Sequence, residues 1–241
     1  FLKDEKPRKA EVIYFAGCMT HLTPAIKKSM INIFDYAKVD YWFLDEEKAP
    51  CCGRPLMQAG QYDAAEKLIA NNQKLIIDSG AKTLVVSCPI CYKVFKEDYH
   101  FANIEVKQHS EYILELLNEN KLPVFKSDEK IIYHDPCELG RGSGIYEQPR
   151  ELLSKYTDLI PVKEEKEESL CCGGSLANIK IEMNERKQIS DNAIDVYLNY
   201  NPEYLVTSCP LCKKSFAKSN KIKVVDIAEI VNGAIEESIR L

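Results

Sequence analysis

The strongest constraint on this chain is a cysteine pattern that occurs twice at nearly constant spacing. Cys88-Pro89-Ile90-Cys91 follows the apolar run Thr83-Leu84-Val85-Val86, and Cys209-Pro210-Leu211-Cys212 follows Tyr204-Leu205-Val206-Thr207. Upstream stand the adjacent pairs Cys51-Cys52-Gly53 and Cys171-Cys172-Gly173, and before those Cys18 and Cys137. The intervals from Cys18 to Cys137, Cys51 to Cys171 and Cys88 to Cys209 are 119, 120 and 121 residues. All 10 cysteines fall into these two five-member sets, so the chain reads as an internal duplication. A disulfide framework is not needed, because 241 residues with 45% hydrophobic content bury a core without staples. Inert buried cysteines would not recur at matching intervals.

Apolar runs and amphipathic segments alternate in each half. Strands are expected at 11–15, 41–44, 83–86 and 104–106, then at 131–133, 159–162, 204–207 and 223–225. Helices are expected from Pro24, over 62–78 up to the capping Gly80, over 110–117, 145–156 and 178–198, and from Asp226 onward. This order makes the fold class α/β: two tandem, internally duplicated Rossmann-like units with mainly parallel sheets, pseudo-twofold related. The expected boundaries are a linker over 1–10, a first unit over 11–120, a linker over 121–129 and a second unit over 130–241. The charge run Lys163–Glu168 reads as a solvated loop without a role of its own. Cys18, Cys88, Cys137 and Cys209 fall at strand C-terminal ends, where parallel sheets place their ligands.

A Cys-x-x-Cys turn leading into a helix brings two sulfurs together beside the N–H groups of the helix start, which stabilise thiolate charge. An adjacent cysteine pair needs a sharp turn to converge, and Gly53 and Gly173 supply the backbone freedom for it. Tetrahedral zinc and a regular four-iron cubane each take four ligands. Five thiols per half point instead to a larger or irregular cluster, with structural zinc as the reading of another class.

At these residues the sequence resembles the duplicated cysteine-rich CCG domain of heterodisulfide reductase catalytic subunits. That domain also occurs in the iron–sulfur subunits of glycolate oxidase and anaerobic glycerol-3-phosphate dehydrogenase. His134-Asp135-Pro136-Cys137, Leu139-Gly140-Arg141 and Tyr146–Arg150 extend the likeness. The resemblance implies two noncubane [4Fe-4S] clusters, one on Cys18, Cys51, Cys52, Cys88 and Cys91, the other on Cys137, Cys171, Cys172, Cys209 and Cys212. It implies a heterodisulfide reductase-like oxidoreductase that reduces a disulfide between the clusters, fed by a ferredoxin-like [4Fe-4S] subunit or domain and a flavoprotein. The rival role is an electron relay from a flavin-dependent dehydrogenase of a 2-hydroxy acid or glycerol 3-phosphate to quinone. Glu138 stands where many relatives have histidine. The chain starts at Phe1, and a ferredoxin-like domain of the kind many relatives carry is expected to have been removed, to be a separate subunit or to be disordered.

His134 and His21 lie close to cysteines in sequence and are candidate proton or hydrogen-bond donors, with Glu138 beside them; His100 and His109 are assigned no role. Arg54, Arg141 and Arg150 are candidates to bind an anionic substrate, each weighed against an ordinary ion pair. A net charge of −5 and scattered tyrosines give no basis for nucleic-acid binding. No apolar run reaches bilayer length. The expectation is a cytoplasmic protein, peripheral to a membrane only through partner subunits.

Overall fold

The computed structural model describes residues 7–46, 51–174 and 180–240. Residues 1–6 of the expected leading linker and the start of the expected 178–198 helix lie outside them. In the first half, β1 (Val12–Phe15) leads through the short α1 (Cys18–His21) to α2 (Pro24–Tyr36) and β2 (Tyr41–Phe43). Then follow α3 (Arg54–Gln58), α4 (Tyr62–Ser79), β3 (Thr83–Val86), α5 (Pro89–Glu97), β4 (Glu105–Gln108) and α6 (His109–Asn118). The second half repeats the theme with β5 (Lys130–His134), α7 (Gly140–Ser143), α8 (Glu147–Ser154) and β6 (Asp158–Leu159). It continues with α9 (Met183–Leu198), β7 (Tyr204–Thr207), α10 (Pro210–Phe216), β8 (Lys223–Asp226) and α11 (Ile227–Arg240).

Each half carries a four-stranded sheet, in the orders β2-β1-β3-β4 and β6-β5-β7-β8, with every pairing parallel. The central strands of the first sheet are almost continuously apolar because helices cover both faces: Ile13, Tyr14, Phe15, Leu84, Val85 and Val86 are all fully buried. The expected strand 159–162 shrinks to two residues at the sheet edge. Pro161 has no N–H to give a ladder, which limits that strand.

The halves meet through helices that the duplication relates. By the repeat interval α2 corresponds to α8 and α6 to α11, and α2 packs on α11 as α8 packs on α6. One apolar core runs through this interface, joining Ile33 and Phe34 of α2 and Ile113 and Leu117 of α6 to Leu152, Val231 and Ile235. Matching contacts on both sides of the junction are what a pseudo-twofold axis requires.

A buried polar chain also crosses the junction. Gln108 takes a hydrogen bond from Ser110 N on its side-chain oxygen (2.7 Å), which orients its amide nitrogen. That nitrogen donates to the Ser208 carbonyl at 3.1 Å and to His109 Nδ1 at 2.6 Å. With Nδ1 accepting, His109 carries its proton on Nε2 and donates it to Asp226 Oδ1 at 2.9 Å. His109 and Asp226 are both fully buried. His109, assigned no role from sequence, therefore ties α6 to the end of β8.

Candidate metal centres

Each cysteine set gathers at the carboxyl end of its sheet. Cys88 and Cys209 are the N-cap residues of α5 and α10, each followed by proline in the first turn. Backbone N–H groups of Ile90 and Cys91 point at the Cys88 sulfur, and that of Cys212 at Cys209. The adjacent pairs turn back through left-handed glycines, φ +108° at Gly53 and +71° at Gly173. Gly53 N donates to Cys51 Sγ at 3.4 Å and Gly173 N to Cys171 Sγ at 3.3 Å, the same contact in both halves.

The two glycines differ in what surrounds them. A Cβ on Gly173 would meet the Arg186 carbonyl oxygen at 2.4 Å, whereas one on Gly53 meets only side-chain carbons from 3.4 Å. Gly173→Ala is therefore expected to destabilise the protein more than Gly53→Ala, by at least about 1 kcal/mol beyond the shared left-handed penalty, because backbone must shift. Urea unfolding of the two variants measures the difference.

The carbonyls of the paired cysteines are held from below. In the first half Asn72 donates to Cys51 O at 3.0 Å and Tyr99 to Cys52 O at 3.2 Å. In the second half Ser215 donates to Cys172 O at 2.5 Å. Tyr14 and Tyr133 sit under the Cys-Pro-x-Cys turns, hydrogen-bonded to the hydroxyls of Ser87 (2.8 Å) and Ser208 (3.2 Å), one residue before each first cysteine. These tyrosines and serines recur at the same interval as the sulfurs, a signal available in the sequence.

The thiols perturb one another strongly. Hydrogen bonds from Cys51 and Cys91 hold the Cys52 thiol well below its ordinary range, and one from Cys212 lowers Cys172. Their partners Cys91 and Cys212 are pushed far up as the donors, with burial adding to the effect. Burial is the main cause that raises Cys18, helped by Cys88 and Cys52; Cys137 is likewise pushed up to about 11. Cys88 of the first set adds to the charge felt by Cys209 of the second, so the two sets are electrostatic neighbours. All five cysteines of the second set line one cavity, whose wall also includes Ile90 of the first Cys-Pro-Ile-Cys turn.

Among the described residues no three His, Cys, Asp or Glu side chains meet the geometry of a single metal ion. The donor set fits an iron–sulfur cluster: soft thiols, an apolar surround, and helix-start amides directed at sulfur. Metal binding would take the place of the protons these sulfurs share.

The other sequence candidates divide by position. Glu138 lines the cavity of the second set with Pro136 and Leu211. His21 Nε2 donates to Asp45 at 3.0 Å, and that carboxylate also receives the N–H groups of Ala16 and Gly17 at 2.8 and 2.7 Å. Asp45 thus shapes the turn into Cys18 and was not recognised from sequence, where nothing marks it. Arg54 opens α3 and offers its backbone N–H to Cys52. Arg150 forms a two-pronged pair with Asp135, 2.7 Å at each oxygen, and reaches Glu165 at 3.3 Å. Arg141 donates to the carbonyls of Glu167 and Ser169 at 2.8 and 2.9 Å.

These contacts correct the reading of 163–168 as a solvated loop without a role. Lys166 N also donates to Asp135 at 2.8 Å. The physical reason is the Asp135 carboxylate, only 2% exposed, which needs donors from around it. The charge run supplies part of that shell and closes over the turn into Cys137.

His134 is 1% exposed, with Nδ1 hydrogen-bonded to Tyr197 OH at 3.2 Å and Nε2 unpartnered among the described residues. Burial lowers its pKa to about 4, against a smaller opposing effect of Asp135. The unfolded imidazole binds a proton from about 6.5 and the folded one only near 4, so stability is lost as pH falls through that window. His134→Phe places at 134 the residue found at the matching position, Phe15. It is expected to lose about 1.5 kcal/mol less than the parent between pH 6.5 and pH 5 in denaturant titrations.

Residues 12–96 and 131–217 match the sequence profile of the CCG cysteine-rich domain. The chain belongs to the CCG family. Three relatives are similar over most of this chain. The EtfAB:quinone oxidoreductase of Syntrophomonas wolfei is 30% identical over 256 residues, covering 98% of this chain and 36% of the relative. A dihydromethanophenazine:CoB–CoM heterodisulfide reductase polypeptide of Methanosarcina acetivorans is 27% identical, covering 96% and 60%. The iron–sulfur-binding oxidoreductase FadF of Bacillus subtilis is 25% identical, covering 93% and 34%. The chain thus spans between about one third and three fifths of the length of these oxidoreductases. Among the described residues no helix is long and apolar enough to cross a membrane.

Proposed function

We propose that the chain is the cysteine-rich part of an iron–sulfur oxidoreductase. Cys18, Cys51, Cys52, Cys88 and Cys91 would hold one [4Fe-4S] cluster, and Cys137, Cys171, Cys172, Cys209 and Cys212 the other, both of noncubane type. The observation that carries this reading is the pair of five-thiol sets at the ends of two parallel sheets, close enough for Cys88 to bear on Cys209. When bound, such clusters supply one electron each. Two adjacent one-electron centres suit a disulfide, whose S–S bond takes two electrons and two protons to give two thiols. The chain's own residues hold the sulfurs with helix-start amides, wall the cavity with Ile90, Leu211 and Pro136, and place Glu138 on its lining.

A relay role is the second reading, supported by the likeness to a quinone oxidoreductase. In it the electrons come from a flavoprotein and leave to quinone with no substrate chemistry on this chain. Under either reading a ferredoxin-like or flavin-bearing partner delivers the electrons. The test is anaerobic reconstitution, dithionite reduction, and a comparison of a heterodisulfide with a soluble quinone as oxidant. Reoxidation by disulfide supports the first reading and by quinone alone the second. Colourless, zinc-loaded protein that takes up no iron would overturn both.

A further inference from the structure

The duplication places a groove at the same point in each half, between the long helix that follows the cysteine pair (α4 or α9) and the chain at or just beyond the end of the helix after Cys-Pro-x-Cys. In the first half it is lined by Glu66, Ala70 and Glu97, and in the second by Arg186, Ser190 and Lys218. Positions 66 and 186, 70 and 190, and 97 and 218 are separated by 120, 120 and 121 residues, the interval of the cysteines. The groove has reversed its charge at two matched positions and gained a hydroxyl at the third. The fold alone does not require cations there, since its own first copy has acids.

Three further features fit an anion. The side chain of Glu182, the N-cap residue of α9, makes no cap hydrogen bond among the described residues, and the start of this 16-residue helix, with Glu185 in its first turn, lies at the groove. Ser190 is 2% exposed and lines the groove, yet its Oγ has no partner among the described residues. A buried hydroxyl in that state marks a missing hydrogen-bond partner. Lys218 has no carboxylate partner among the described residues, while Lys187 pairs with Asp191. Arg186 is braced by donating to the Gly173 and Gly174 carbonyls.

We propose that the groove of Arg186, Ser190 and Lys218 is an oxyanion site that takes the phosphate or carboxylate group of a small ligand. Its volume, about 180 Å³, suits one acid group rather than a whole cofactor. The site lies beside the second cysteine set, because Gly173 lines it and Ser215 links it to the Cys172 carbonyl. It does not depend on what the cysteines bind.

The test is amide NMR of the chain titrated with inorganic phosphate and, separately, acetate, with chloride holding ionic strength constant. Saturable shifts are expected at the amides of 184–190, and the tighter of the two anions identifies the acid group. Lys218→Glu should weaken binding at least tenfold and Ser190→Ala severalfold; Lys218 is exposed, and the amide spectrum itself reports folding. Linear, unsaturating shifts, an unchanged affinity in Lys218→Glu, or equal shifts along the Glu66–Glu97 groove would overturn the proposal.

Discussion

Reconstituted anaerobically, the parent chain is expected to carry about eight iron and eight sulfide per molecule, and Cys209→Ser to lose about half of each. Halving follows if each set assembles its own cluster. Cys209 caps α10 and shares hydrogen with Cys212, and its backbone neighbour Ser208 is fixed by both Gln108 and Tyr133. Serine keeps the cap and the fold while removing the soft donor. Cys88→Ser should produce the mirror-image loss, and the double variant should bind little iron. Iron and acid-labile sulfide analysis with EPR on the reduced protein reads the result. Complete loss from either single variant would mean that the neighbouring sets hold one shared centre, and no loss would remove these cysteines from the site.

The second large effect concerns the junction. Asp226→Ala is expected to cost about 3–5 kcal/mol, because it strands the Nε2–H of fully buried His109 and removes the acceptor for Ala228 N at 3.0 Å. Asp226 Oδ2 is itself unpartnered among the described residues, so the pair is held at some cost already. Replacing both residues, as His109→Leu with Asp226→Leu, should recover most of the loss by substituting apolar packing for a buried polar pair. Urea unfolding of the single and double variants forms the cycle. A single variant within about 1 kcal/mol of the parent would show that α6 and β8 are joined by the apolar interface alone.

Much of this molecule was readable as spacing. The strands at 83–86 and 204–207 and the helices from Pro24 and Tyr62 form where apolar periodicity, proline and glycine place them. The left-handed turns at Gly53 and Gly173 answer the geometric demand of adjacent cysteines. What escaped was polar and long-range. Asp45, His109 and Asp226 look like unremarkable charged or polar residues in sequence, and only burial gives them partners. The run 163–168 looked solvated because its charges are local, while the group that organises it, Asp135, lies 31 positions before Lys166.

The sequence by itself determined that two like halves each bring five sulfurs to the ends of a parallel sheet, since strand periodicity and cysteine spacing are properties of a short stretch of chain. The tertiary structure decided how the halves face one another and which polar side chains are caught between them. It also decided that the matched grooves are acidic in one half and basic in the other, and that the basic one opens beside its cysteine set. The junction depends on the packing of α2 on α11, where Asn32 meets Asn232 across 200 positions, and on His109 reaching Asp226 across 117. No local pattern encodes contacts at that separation.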